Sequence, residues 1–323
     1  MTVPHISADT TANLVRMLDL TPAASLGGDD SFSAVTLTRE SPRTFGGQVL
    51  AQALVAAQRT VEGKQLHSVH GYFLRPGDIT KPLYYASQRL NDGRSFATRR
   101  VQAFQEPGER PVFAPGAEVY EDPQAIFSAI ASFQLPAAGV EHQLPVMPRG
   151  LPDPESLPRV SDYLGQVQHP VAQAVAWERP IDIRYVSAPL YTQPDDSSTE
   201  PQAVVWFKTF DELLNPDGSP VPPVYHQAAI AYASDYLPLE PALRAHSKFW
   251  LQPGMKSASL DHAMWFHRPA RADQWLLYVL DSPSAQGGRM LSRGSIFTAD
   301  GQLVATVAQE MMFRLPEFAP TSS

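Results

Sequence analysis

Three polar residues stand where this sequence is otherwise built for burial. Asp235 closes the Ala-rich run Tyr225–Asp235, on the face shared with Ala228, Ala231 and Tyr232. Gln309 interrupts the alternating row Leu303, Ala305, Val307, Met311 and Phe313, which strand periodicity places on one apolar face. Ser259 opens a strand-like run that ends in Phe266-His267-Arg268-Pro269. A buried carboxylate or amide must find partners or cost several kcal/mol. Two such intrusions into one core therefore suggest a meeting place with a water or substrate between them. The plainer alternative is that Asp235 ends its helix and Gln309 satisfies a strand edge.

The elements that must position these groups occur twice. Leu66–Pro76 and Ser259–Pro269 both end in aromatic-X-Arg-Pro. Asn91-Asp92-Gly93-Arg94 is answered by Gln286-Gly287-Gly288-Arg289, and Ala131-Ser132-Phe133-Gln134 by Thr306-Val307-Ala308-Gln309. Self-similarity in fixed order at this long range implies two copies of one unit rather than a solenoid. Superposing the copies on Gln48 and Gln227 sets Ala56 opposite Asp235. The Arg-Pro strands set Leu66 opposite Ser259, and the last strands set Gln134 opposite Gln309. The polar set is thus complete in the second copy alone.

Periodicity predicts a short helix over Asn13–Leu20, a strand over Ser31–Leu37 and a helix over Phe45–Ala57 that is apolar nearly all round, hence buried. Strands follow over Ser68–Leu74, Leu83–Leu90, Phe96–Phe104 and Ile126–Phe133. The second copy repeats the order: strands Ile181–Val186 and Ala203–Thr209, a turn at Asn215–Gly218, the helix to Asp235, then four strands. The class is α+β, two tandem antiparallel sheets each wrapped around a buried helix. The boundaries are 1–135 for the first unit, 136–176 for a linker and 177–323 for the second. The linker is Pro-rich from Leu135 to Pro158, carries a weak helix near Val171–Trp177, and is expected to run over the surface. An insertion at Gln105–Gln124, with four prolines, has no counterpart in the second copy.

With no Cys among 323 residues, disulfides, zinc-thiolate sites and a thiol nucleophile are excluded. A net charge of −8 argues against nucleic acid as the main partner. No apolar run approaches the roughly 20 residues of a membrane span. Met1–Thr11 lacks the basic and apolar regions of a secretory signal, and Pro320-Thr321-Ser322-Ser323 is not the Ser-Lys-Leu address, so a cytoplasmic protein is expected. His67/His70 and His262/His267 point to opposite strand faces in each pair and read as core or hydrogen-bonded histidines rather than metal ligands. Asp261 shares a strand face with Ser259 and competes with Asp235 for the catalytic role. Arg94 and Arg289 are weighed for the phosphates of a ligand and read better as solvated or strand-pairing.

The sequence resembles the acyl-CoA thioesterase II family, which has a double hotdog fold. The resemblance rests on Phe45-Gly-Gly-Gln-Val-Leu-Ala-Gln-Ala-Leu54, Tyr72-Phe-Leu-Arg-Pro-Gly-Asp78, Asp92-Gly-Arg-Ser-Phe96, Leu260-Asp-His-Ala-Met-Trp-Phe-His-Arg-Pro269 and Val307-Ala-Gln-Glu310, in family order. It implies an acyl-CoA substrate, no cofactor, no metal, and a homo-oligomer, dimer or tetramer. It also implies that Asp235, Ser259 and Gln309 hold and activate the attacking water. A helix N-terminus with free N–H groups suits an oxyanion, so Gly46 and Gly47 are expected to supply donors to the same site. Ala56 and Leu66 make the mirror position apolar, and Leu66 is expected to line the acyl pocket. A hydratase would carry an Asp-x4-His pair at its helix start, and neither helix has one. A non-catalytic acyl-CoA-binding module would lack at least one of the three polar residues.

Overall fold

The computed structural model describes residues 5–7, 10–23, 30–38, 41–105 and 125–318. The insertion lies outside them except for Gln105, as do the last residues of the chain. The first half holds β1 (His5–Ser7), α1 (Thr11–Leu18), β2 (Thr21–Pro22), β3 (Ser31–Ala34), β4 (Thr36–Thr38) and α2 (Gly46–Gln58). It continues with β5 (Gln65–Phe73), β6 (Leu83–Asp92), β7 (Phe96–Phe104) and β8 (Phe127–Gln134). Then come α3 (Val160–Leu164), α4 (Pro170–Trp177), β9 (Ile181–Tyr185), β10 (Gln202–Thr209), α5 (Pro223–Ser234) and α6 (Glu240–Ala245). The chain closes with β11 (Lys256–Ser259), β12 (Asp261–Phe266), β13 (Leu276–Gln286), β14 (Arg289–Thr298) and β15 (Leu303–Arg314).

One antiparallel sheet runs through the molecule in the order β2-β3-β6-β7-β8-β5-β12-β15-β14-β13-β10-β9, with β11 paired to β15. Its first six strands come from before residue 135 and the rest from after 181. The seam is β5 against β12, with Val69 opposite Met264 and Tyr72 opposite Asp261. The strand expected over Ser31–Leu37 divides into two: β3 joins the large sheet, and β4 pairs in parallel with β1.

Alanine lets the sheet close tightly on α2 and α5. Every residue of α2 from Gly47 to Ala57 is buried, and α5 is buried from Ala228 to Ser234. The helices lie antiparallel. At one end Phe45, the N-cap of α2, stacks on Tyr236 at 4.7 Å and meets Tyr232 edge-on. At the other, Arg59 beyond α2 reaches Tyr225 in the first turn of α5. The two ends are not equivalent. On the superposition used above, Gly46 and Gly47 correspond to Tyr225 and His226, and α5 begins Pro222-Pro223, which offers no N–H.

The stretch 136–176 differs from a surface linker in its second half. Up to Pro158 it is mostly exposed, as proline demands, but Leu164 and Ala172 are each 1% exposed and seat α3 and α4 against the core.

Candidate active site

Asp235 is the C-cap of α5, 8% exposed, with its side chain turned toward the start of α2. Ser259 is the last residue of β11, opposite Met311 of β15. Gln309 lies two residues earlier on β15, 1% exposed, in the apolar row. Its amide joins the other two: Nε2 donates to Asp235 Oδ1 and to Ser259 Oγ, both at 2.8 Å. Ser259 Oγ is 3.3 Å from the same carboxylate oxygen, long for a hydroxyl donor. Its proton is therefore only loosely engaged. Gln309 Oε1 is buried and has no hydrogen-bond partner among the described residues. The three residues that the sequence singled out meet at one point.

Local backbone features explain the meeting. Between β11 and β12 the chain turns at Leu260, whose N–H donates to Glu310 O and whose carbonyl accepts from Phe73 N–H of the other half. Asp261 Oδ1 accepts from Glu310 N–H at 2.6 Å. Asp261 pins the backbone beside Gln309 and does not line the cavity described below. His262, wholly buried, meets Ser234 Oγ at 3.1 Å and brings Nδ1 to 3.8 Å from Asp235 Oδ1. Its place behind the carboxylate was not legible, because strand alternation alone puts it on a core face. His70 stands edge-on to Trp265 and His67 to Phe96, while His267 bonds Thr306. The histidines thus serve separate neighbours. Arg289 pairs with Glu310.

Asp235 Oδ2 faces Gly46: a Cβ built on that glycine would lie 2.8 Å from it and 3.0 Å from the Phe73 ring. Gly47 is as tight, its Cβ position being 2.6 Å from Tyr232 O. The first N–H groups of α2 have no intrahelical partner; Gly46 lies beside the carboxylate on the cavity wall described below, whereas Gly47 is buried against Tyr232 and does not line it. Burial first, and the Asp235 charge second, push the Tyr278 phenol well above its ordinary value, so it stays neutral.

Asp235, Ser259 and Gly46 line a cavity of about 650 Å³. Phe45, Val49, Phe73, Ile126 and Met311 form its apolar wall, and Leu164, Val171, Ala172 and Val175 of α3 and α4 cover it. Leu66 is not part of that wall. It is 2% exposed in the core, opposite Phe133, and its carbonyl accepts from Gln227 Nε2. The superposition located it correctly in the mirror position, but that end of the helix pair is packed shut. Leu66→Ala should therefore cost about 2–5 kcal/mol in urea unfolding, and a loss below about 0.5 kcal/mol would mean the site is not close-packed.

If the three polar residues act on one water, Ser259→Ala and Gln309→Ala should each lower kcat by less than loss of the carboxylate. The double variant should be less than additive, with a coupling of about 0.5–3 kcal/mol. Strictly additive losses in steady-state kinetics would place the two groups in separate functions.

A buried carboxylate held by an amide, beside the start of a buried helix and on the wall of an apolar cavity, has the groups to hold and activate a water. Family models described as the acyl-CoA thioesterase N-terminal and C-terminal domains match residues 37–134 and 154–313. The chain is 36% identical over 283 residues to acyl-CoA thioesterase 2 of Haemophilus influenzae, covering 85% of this chain and 89% of that protein. It is 37% identical over 287 residues to acyl-coenzyme A thioesterase 8 of Mus musculus, covering 85% and 81%. The crystal structure of an acyl-CoA thioesterase II from Mycobacterium marinum, 36% identical, superposes with a TM-score of 0.68 over 96% of this chain and 100% of that one. A hot dog fold protein from Alicyclobacillus acidocaldarius shares the fold at 18% identity and a TM-score of 0.69, over 94% and 98%. This chain belongs to the acyl-CoA thioesterase family.

Proposed function

We propose that the chain hydrolyses fatty acyl-CoA to free fatty acid and coenzyme A, at one site built from Asp235, Ser259 and Gln309. The observation that carries this reading is the Gln309 amide, which stands behind the cavity wall and ties together Asp235 and Ser259, two residues of that wall. Gln309 Nε2 and Ser259 fix Oδ1, leaving Oδ2 to accept a proton from water while Gln309 Oε1 and the Ser259 hydroxyl orient it. The water oxygen attacks the thioester carbonyl carbon, and the oxyanion is met by N–H groups of Gly46 and Gly47 at the α2 N-terminus. Collapse breaks the C–S bond, and the thiolate takes the proton held by Asp235. The products are a carboxylic acid and coenzyme A thiol.

In this reading the chain is two tandem hotdog units, 1–135 and 177–323, with 136–176 between them. Only the second carries the carboxylate, because Ala56 and Tyr225 fill the corresponding end of the helix pair. Release of thiol from fatty acyl-CoA, followed with a thiol reagent, tests the activity. Tight binding of acyl-CoA without thiol release would instead make this a binding module.

The protein is further proposed to be cytoplasmic and a homo-oligomer. Among the described residues no helix is long and apolar enough to cross a membrane. Register places Tyr72, His70, Ile130 and Trp265 on one outer face of the central strands. The large apolar side chains there, with Tyr72 61% exposed, make a surface suited to a second copy. Sedimentation equilibrium should give a dimer or tetramer that Trp265→Glu weakens, and a monomeric parent protein would contradict it.

A further inference from the structure

The cavity has a second polar wall that the hydrolytic step leaves unused. Arg179, just beyond α4, lines it with Tyr185, Tyr191 and Trp250. The guanidinium carbon lies 4.3 Å from the ring centre of Tyr236, the neighbour of Asp235. Burial works against its charge, but a guanidinium stays protonated in proteins and this one lies over the Tyr236 ring, so Arg179 remains a cation. No carboxylate lies within 4.0 Å of it among the described residues, and its Nε has no hydrogen-bond partner.

Glu240, the carboxyl that Arg179 influences, is committed elsewhere. Glu240 is wholly buried, and its Oε1 accepts from Trp250 Nε1 at 2.6 Å and from Tyr185 at 3.1 Å. The Tyr185 and Tyr191 hydroxyls, 2.9 Å apart, stand between it and the guanidinium. Burial pushes the Glu240 carboxyl upward, which weakens it further as a counter-charge. Arginine carries five N–H donors in a planar fork that matches a carboxylate. Here most of them have no protein acceptor, and a partly buried cation without an anion is costly.

We propose that this cavity takes acyl-CoA substrates whose acyl group ends in a carboxylate, and that Arg179 receives that carboxylate. The proposal rests on the thioesterase reading and names a substrate class within it. The acyl side of the substrate, not the nucleotide, fits this corner. Arg179 is half-buried beneath α3 and α4, among Leu164, Ala172, Val175 and Leu251. The exposed cations on the cavity wall are Arg43 and Arg75, the latter donating to Ala125 O, and they lie outside this half-buried corner.

The test compares kcat/KM for ω-carboxyacyl-CoA with that for the unmodified acyl-CoA of equal length, over a homologous series. The wild-type ratio should peak at one chain length. Arg179→Met should lower that ratio by about 10- to 100-fold, the usual worth of a hydrogen bond to a charged group. Arg179→Lys should restore part of it. Should Arg179→Met fail to fold, Tyr191→Phe, which removes the hydroxyl that holds the guanidinium in position, must also lower the ratio. An unchanged ratio in folded Arg179→Met overturns the proposal. So does an equal fall for both substrates with weakened inhibition by free coenzyme A, which would place Arg179 on the nucleotide side. Release of thiol from fatty acyl-CoA with no peak for the carboxylated series sinks this proposal alone. No release from any acyl-CoA sinks the thioesterase reading and this one together.

Discussion

Asp235→Asn should retain the fold and lose activity by about 10²–10⁴ in kcat, the range for removal of a general base. Asparagine keeps the volume at the C-cap of α5, and its amide oxygen can still accept from Gln309 Nε2, so the network that holds Ser259 survives. What it lacks is an oxygen basic enough to take a proton from water. The loss should therefore fall on kcat, with KM for acyl-CoA little changed, because asparagine keeps the shape of the side chain and leaves the apolar wall of the cavity untouched. Near-wild-type turnover by a folded variant would overturn the assignment. It would not transfer the role to Asp261, whose carboxylate is occupied by Glu310 N–H.

The sequence disclosed the fold through repetition, and the site through failure of that repetition. Aromatic-X-Arg-Pro and the two Ala-rich helices each appear twice, so the element order could be read once and checked against itself. Asp235 and Ser259 were legible because their counterparts Ala56 and Leu66 are apolar, and Gln309 because it interrupts an apolar strand row, although its counterpart Gln134 is polar too. Residues that break no pattern stayed hidden. His262 reads as an ordinary core position, and Arg179, between Glu178 and Pro180, belongs to no periodic run. The cover over the cavity was missed because α3 and α4 are short and flanked by proline and glycine, signals that normally mean an exposed connection. Leu66 shows a different limit. Superposition identifies equivalent positions but says nothing of how space is filled around them. At that end Tyr225 and Arg59 take the place that Gly46 leaves open at the other.

That difference between the two helix ends makes Gly46 the next most sensitive position. Gly46→Ala should lower kcat by about 10², the scale on which a displacement of one ångström in a reacting group is felt. The new Cβ would sit 2.8 Å from Asp235 Oδ2 and 3.0 Å from Phe73, so one of them must move. Phe73 is itself packed on Phe127, ring centres 5.0 Å apart, whereas the carboxylate is the end of a short side chain. The carboxylate therefore yields, and rotating it away from α2 pulls Oδ1 from Gln309 Nε2. Stability should change little, since alanine is a better helix former than glycine. Gly47→Ala provides the contrast. Its Cβ would meet Tyr232 O, a backbone atom of α5, at 2.6 Å, so the two helices must separate and the protein should melt at lower temperature. Thermal unfolding and steady-state kinetics on both variants separate the cases. Wild-type kcat in Gly46→Ala would mean that Oδ2 does not face the reacting water, and the proton transfer would have to be routed through Oδ1.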